Sequence, residues 1–130
     1  MGAMLVRHQL TSAAIVRREI AADLDDRGFD PECIEDVALV ASELVGNAVK
    51  HVTLPPDGNV DVTWNIAETH IMLAVSDPSD QPPRIRVATP AETSGRGLAI
   101  VESLSAAWGV DRLPTGKRVW AKVPLRRYAG

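Results

Sequence analysis

The chain has 130 residues, 45% of them hydrophobic and 24% charged, with a formal net charge of −3 at pH 7. That length supports one domain with a filled core, and the lone Cys33 leaves no internal disulfide to form, in keeping with a reducing, cytoplasmic setting. The acid balance argues against nucleic acid as the main partner, since phosphate binding shows as a basic excess, and no apolar run reaches the roughly 18 to 20 residues that cross a bilayer.

Residues 1–3 are set aside as an extension ahead of a native start at Met4, and Leu5 to Leu10 read as an edge strand. From Thr11 as N-cap, apolar residues recur at Ala14, Ile15, Ile20, Ala21 and Leu24 up to Arg27-Gly28, an amphipathic helix closed by glycine. Asp30-Pro31 is a strong second start, an acceptor side chain followed by the residue whose missing N–H costs nothing in a first turn. Ile34, Val37, Ala38, Ala41, Leu44, Val45 and Ala48 then fall on one arc, the face that packs on a sheet, and Cys33 reads as a small buried hydrophobe.

Val60 to Ile66 and His70 to Val75, separated by Ala67-Glu68-Thr69, predict an antiparallel hairpin. Asp77 to Thr93 carries Pro78, Pro82, Pro83 and Pro90 and reads as a long irregular loop, a length that is functional or disordered in a compact domain. Gly95-Arg96-Gly97 opens a third helix through Leu98, Ala99, Val101, Leu104 and Ala107, ending near Trp108-Gly109. Two strands follow, Val110 to Leu113 and Lys117 to Val123, around the turn Pro114-Thr115-Gly116. The order β, α, α, β, β, α, β, β predicts an α+β fold, a two-layer sandwich with helices on one face of a mostly antiparallel sheet. Arg126-Arg127 reads as a solvated tail rather than a binding patch.

Three features carry chemistry, each with a plainer alternative. Glu43, Asn47 and His51 lie four apart on the second helix, so they share a stripe beside the apolar arc. An amide oxygen suits a hard cation such as Mg²⁺ and a carboxylate suits a general base; an ordinary polar flank has the same spacing. Gly95-Arg96-Gly97 at a helix start offers open backbone N–H groups and a positive dipole end to a phosphate, or is a tight turn with a cap. Asp77 ends an apolar strand, where a carboxylate accepts from an exocyclic amine such as adenine's, or forms a turn. His8 and His70 have no spacing that suggests a metal site.

In chain order these pieces resemble the Bergerat-fold (GHKL, histidine-kinase-like) ATPases from about residue 6 to 124 of one domain spanning 1–130. Glu43-Leu44-Val45-Gly46-Asn47-Ala48-Val49-Lys50-His51 looks like the family's N box, Asp77 sits where its first glycine box begins, and Ser94-Gly95-Arg96-Gly97-Leu98 looks like its second. The resemblance implies ATP held between the second helix, a Pro-rich lid and the third helix's N-terminus. Asn47 then ligates Mg²⁺, with His51 at the pocket border, Glu43 is the general base, Asp77 reads adenine, Gly95 and Gly97 contact phosphate with Arg96 adding charge, and Ser94 and Leu98 complete the cofactor-binding set.

Within that superfamily the chain, with no dimerisation-phosphoacceptor domain expected before it, resembles the anti-sigma-factor serine kinases, as does its ending from Trp108-Gly109-Val110 to Gly116-Lys117-Arg118-Val119-Trp120. The resemblance implies a sigma factor or a serine-containing antagonist as partner, a cytoplasmic location, no membrane contact, and a homodimer, for which Trp64 and Trp120 are candidate contacts or, equally, core or single exposed residues. Two departures stand out. Asp77-Pro78-Ser79-Asp80 lacks the first box's glycines, and Gly116-Lys117 stands where the family often has Gly-Thr, removing a hydroxyl near adenine. Three readings follow: a serine kinase that sequesters its partner, a binding module in which ATP is structural, and an interaction domain with a vestigial pocket.

Overall fold

The computed structural model describes residues 1–7, 9, 11–51, 59–77, 93–114 and 116–129, with the backbone alone at 50, 51 and 93–98. Its elements are β1 (Gly2–Arg7), α1 (Ser12–Asp26), α2 (Pro31–His51), β2 (Asn59–Ile66), β3 (His70–Asp77), α3 (Thr93–Leu104), β4 (Ala107–Leu113) and β5 (Gly116–Pro124), in the predicted order. The strands form one antiparallel sheet ordered β1-β2-β3-β5-β4. Strand alternation assigns its faces: Val60, Val62 and Trp64 of β2, Ile71, Leu73 and Val75 of β3, and Val119, Ala121 and Val123 of β5 are buried towards the helices. No helix among the described residues is long and apolar enough to cross a membrane.

The α2 arc is as the spacing predicts, with Val37, Ala41, Leu44 and Val45 at most 1% exposed, and Cys33 is buried with them. Asp30 starts the helix as expected, its Oδ1 accepting from the Glu32 N–H at 2.9 Å. In α1 the buried stripe is Ser12, Val16, Ile20 and Leu24, a strict four-residue spacing, while Ile15 is exposed, so the sequence-derived arc was rotated by about one position. Thr11 makes no side-chain cap; the hydroxyl of Ser12 instead donates to the Arg7 carbonyl at 2.7 Å, tying α1 to the end of β1. Gly28 closes the helix at φ +80°, the left-handed conformation that favours glycine.

Two boundaries differ from expectation. The first strand is Gly2–Arg7 rather than Leu5 to Leu10: Gly2 and Ala3, set aside with residue 1 as an extension, pair with Trp64 and Thr63 of β2, and Met4 pairs with Val62. A Cβ on Gly2 would strike the Trp64 indole, so the large ring covers a bare backbone across the strand pair. The third helix ends at Leu104, and Trp108-Gly109, read as its end, lie inside β4, where Gly109 faces Trp120 of β5. The helical spacing of Ala107 and Trp108 is overruled by pairing, which Ala106 opens by donating to the Lys122 carbonyl at 2.7 Å.

The start of α2 and the end of α1 are closed by the chain's last residues. Arg126 Nε donates to Asp30 Oδ2 at 2.9 Å and the Asp30 N–H to the Arg126 carbonyl at 2.9 Å, while Tyr128 N–H reaches the Gly28 carbonyl at 3.0 Å. Arg127 stands 4.4 Å over the buried Phe29 ring. The two arginines read as a solvated tail are therefore exposed but structural. Trp64, one of the two tryptophans considered as a dimer contact, is instead buried in the core, where its Nε1 donates to Asp23 Oδ2 at 2.8 Å and links α1 to β2.

Candidate functional site

The antiparallel register sorts the elements between two ends of the sheet. At one end lie the close of β1, the start of β2, Asp77 at the close of β3, and the β4–β5 turn, where Leu113 pairs with Gly116. At this end α1 begins, next to Arg7, and runs to the far end, where α2 starts beside Arg126. The C-terminal half of α2 therefore returns to the Asp77 end. Since α3 hands over to β4 at the far end, its N-terminus also lies at the Asp77 end, and it packs on α2.

Three sequence-predicted groups thus share one end of the molecule. Glu43 and Asn47 are half-buried on the flank of α2, between its core arc and solvent, and His51 is the helix's last residue, its side chain outside the described residues. Ser94, Gly95, Arg96, Gly97 and Leu98 lie in α3, which begins at Thr93, two residues earlier than the expected glycine start. Ser94, Gly95 and Arg96 consequently sit in the first turn, whose N–H groups have no intrahelical acceptor and face the positive end of the dipole. Their side chains, and the proline-rich segment 78–92 expected to form a lid, lie outside the described residues.

Asp77 continues the parity of Ile71, Leu73 and Val75 and so turns towards the helices, 1% exposed; among the described residues it is the one charged side chain that is buried. Directly opposite, Lys117 brings its ammonium to 4.0 Å from Asp77 Oδ2, an ion pair beyond hydrogen-bond length. Burial pulls the Lys117 pKa below the usual lysine range, and the Asp77 carboxylate acts against that pull. Sequence reasoning missed this pair. The signal was present in strand parity, since Lys117 shares the parity of Val119, Ala121 and Val123, but the pairing of β3 with β5 was needed to read it.

A family model described as a histidine kinase-like ATPase domain matches residues 6–123. The chain belongs to that family. Membership implies ATP as ligand, and the α+β fold accords with it. The chain is similar in structure to the RsbU and RsbW domains of Rv1364c from Mycobacterium tuberculosis, with a TM-score of 0.71 and 20% identity over 98% of this chain and 33% of that one. It is also similar to the histidine kinase domain of the blue-light activated histidine kinase of Erythrobacter litoralis EL346, with a TM-score of 0.54 and 23% identity over 72% of this chain and 45% of that one. At these identities the likeness is one of fold, and the chain spans about a third of the length of the mycobacterial protein. No curated protein gives a significant match.

Proposed function

We propose that residues 6–124 form one nucleotide-binding domain that uses Mg-ATP to phosphorylate a serine of an antagonist protein and also holds a sigma factor, as a cytoplasmic homodimer. The observation that carries the nucleotide part is the convergence at one end of the sheet of the half-buried Glu43 and Asn47, the α3 N-terminus and the buried Asp77. The partners rest on the sequence resemblance to anti-sigma-factor serine kinases.

Among the described residues no group of three or more His, Cys, Asp or Glu gathers as a metal cage. The donor set instead fits a cation shared between one amide and a nucleotide, because Mg²⁺ typically takes one or two protein oxygens plus phosphates and water. Asn47 holds the ion through its amide oxygen, with His51 bordering the pocket; the bound ion neutralises charge on the phosphate oxygens. The N–H groups of Ser94, Gly95, Arg96 and Gly97 receive the phosphates, with Leu98 anchoring the turn, and Asp77 accepts from the adenine amine. Glu43 takes the proton of the incoming serine hydroxyl as its oxygen bonds to the γ-phosphorus and ADP leaves.

The test is calorimetric titration of Mg-ATP and Mg-ADP into the protein, with Asn47→Ala as control. Binding by the parent that loses its metal dependence in Asn47→Ala is the expected result; absence of binding by the parent sinks the nucleotide reading. A second reading, ATP as a structural ligand that shapes a partner-binding surface, is favoured by the lysine already seated on Asp77. Phosphoserine appearing on a candidate antagonist with ATP would decide against it.

A further inference from the structure

The partner of Asp77 within its own sheet is unusual in kind. An ammonium is strongly hydrated, and taking one out of water is unfavourable unless a charge compensates it. The Lys117 side chain is 15% exposed and lies against a carboxylate that is 1% exposed, 4.0 Å away, on the helix-facing side of adjacent strands. The register gives Lys117 two directly opposed cross-strand neighbours, Asp77 of β3 and Arg112 of β4, and of these only Asp77 carries the charge that compensates an ammonium. Charge compensation and position both tie the lysine to this one carboxylate.

We infer that Lys117 is the resident counter-ion of Asp77, seated where the exocyclic amine of a purine must donate, so that Lys117 sets base affinity and selectivity at this site. The inference rests on the nucleotide reading above. A purine amine is neutral, and its hydrogen bond to a carboxylate is weaker than one from a charged donor. At 4.0 Å the ammonium holds Asp77 by Coulomb attraction without a hydrogen bond, so an entering amine must share the carboxylate with a charge already beside it, and that competition weakens base binding. The loss falls on the base and not on the phosphates, whose contacts lie on α2 and α3. The site should accordingly bind triphosphates with shallow discrimination between adenine and other bases.

The experiment is calorimetric titration of Mg-ATP, Mg-GTP and Mg-tripolyphosphate into the parent, Lys117→Thr, and Lys117→Thr combined with Asp77→Asn. Lys117→Thr should tighten Mg-ATP by about tenfold and widen the ATP-to-GTP ratio, leave tripolyphosphate unimproved, and lose the gain when Asp77→Asn is added. Should Lys117→Thr fail to fold, Lys117→Gln keeps most of the length, loses the charge and carries the same expectation. A parent that binds Mg-ATP and a folded variant that binds it no better would overturn the role of Lys117 and leave the nucleotide site standing. If the parent binds neither Mg-ATP nor tripolyphosphate, the nucleotide reading falls and this inference falls with it.

Discussion

The two ends of the sheet use charge in opposite ways. At the end where α1 closes and α2 begins, polar groups are satisfied by the chain itself: Asp30 caps α2 and takes Arg126, and Arg127 covers Phe29 while Glu68 stands 3.5 Å from its guanidinium. At the other end the buried Asp77 shares its surroundings with a largely buried lysine, and two helix ends present backbone groups that have no next turn. One end therefore uses its polar groups to close the fold, and the other, in the function proposed above, offers them to a ligand. The expected consequence is separability, with stability residing at the stapled end and nucleotide chemistry at the Asp77 end.

The strongest blow to stability should come from Phe29→Ala, which empties a 3% exposed ring site and removes the surface on which Arg127 rests. A loss of about 3–5 kcal/mol is expected in denaturant unfolding, with nucleotide affinity unchanged in whatever fraction stays folded; a parallel loss of affinity would break the separation. At the opposite end, Glu43→Ala should leave the unfolding midpoint within about 0.5 kcal/mol of the parent and lower phosphoryl transfer to an antagonist by about 10² to 10⁴-fold. Transfer at the parent rate would remove Glu43 from the chemistry.

Smaller effects sharpen the same contrast. Asp30→Ala removes the α2 cap and the Arg126 partner together, and about 0.5–2 kcal/mol should be lost, read as a lower melting temperature with unaltered calorimetric binding. The slightest effect concerns Asp23, whose carboxyl is held below the usual range mainly by the Trp64 indole N–H, with Arg27 adding to it. Its folded pKa being depressed, its contribution is complete above the unfolded value of about 3.9 and is lost as pH falls through the lower folded value. Unfolding followed by Trp64 fluorescence should thus show an acid-side loss of stability that Asp23→Asn reduces; identical acid profiles would remove Asp23 from that role.

Much of this was legible in the order of residues. Asp30-Pro31, the apolar arc of α2 and the glycine after α1 are local signals, and each sits where local chemistry predicts. The motif order that implied a histidine kinase-like ATPase is likewise a linear property, and the family match from residue 6 to 123 bears it out. Less was legible where two periodicities overlap. Ala107 and Trp108 continue the spacing of α3, yet they pair with Lys122 and Ala121 in β4, and Ile15 sits one position off the stripe that α1 actually buries.

The sequence by itself determined the number, type and order of the elements, because capping, turn chemistry and hydrophobic period act over a few residues. Only the tertiary structure decided that residues 2–4 complete the edge of the sheet, that Arg126 and Arg127 close the far end, and that Lys117 faces Asp77. Each of these depends on which strands or ends become neighbours. Cross-strand register and desolvation join residues tens of positions apart, and no local pattern carries that information.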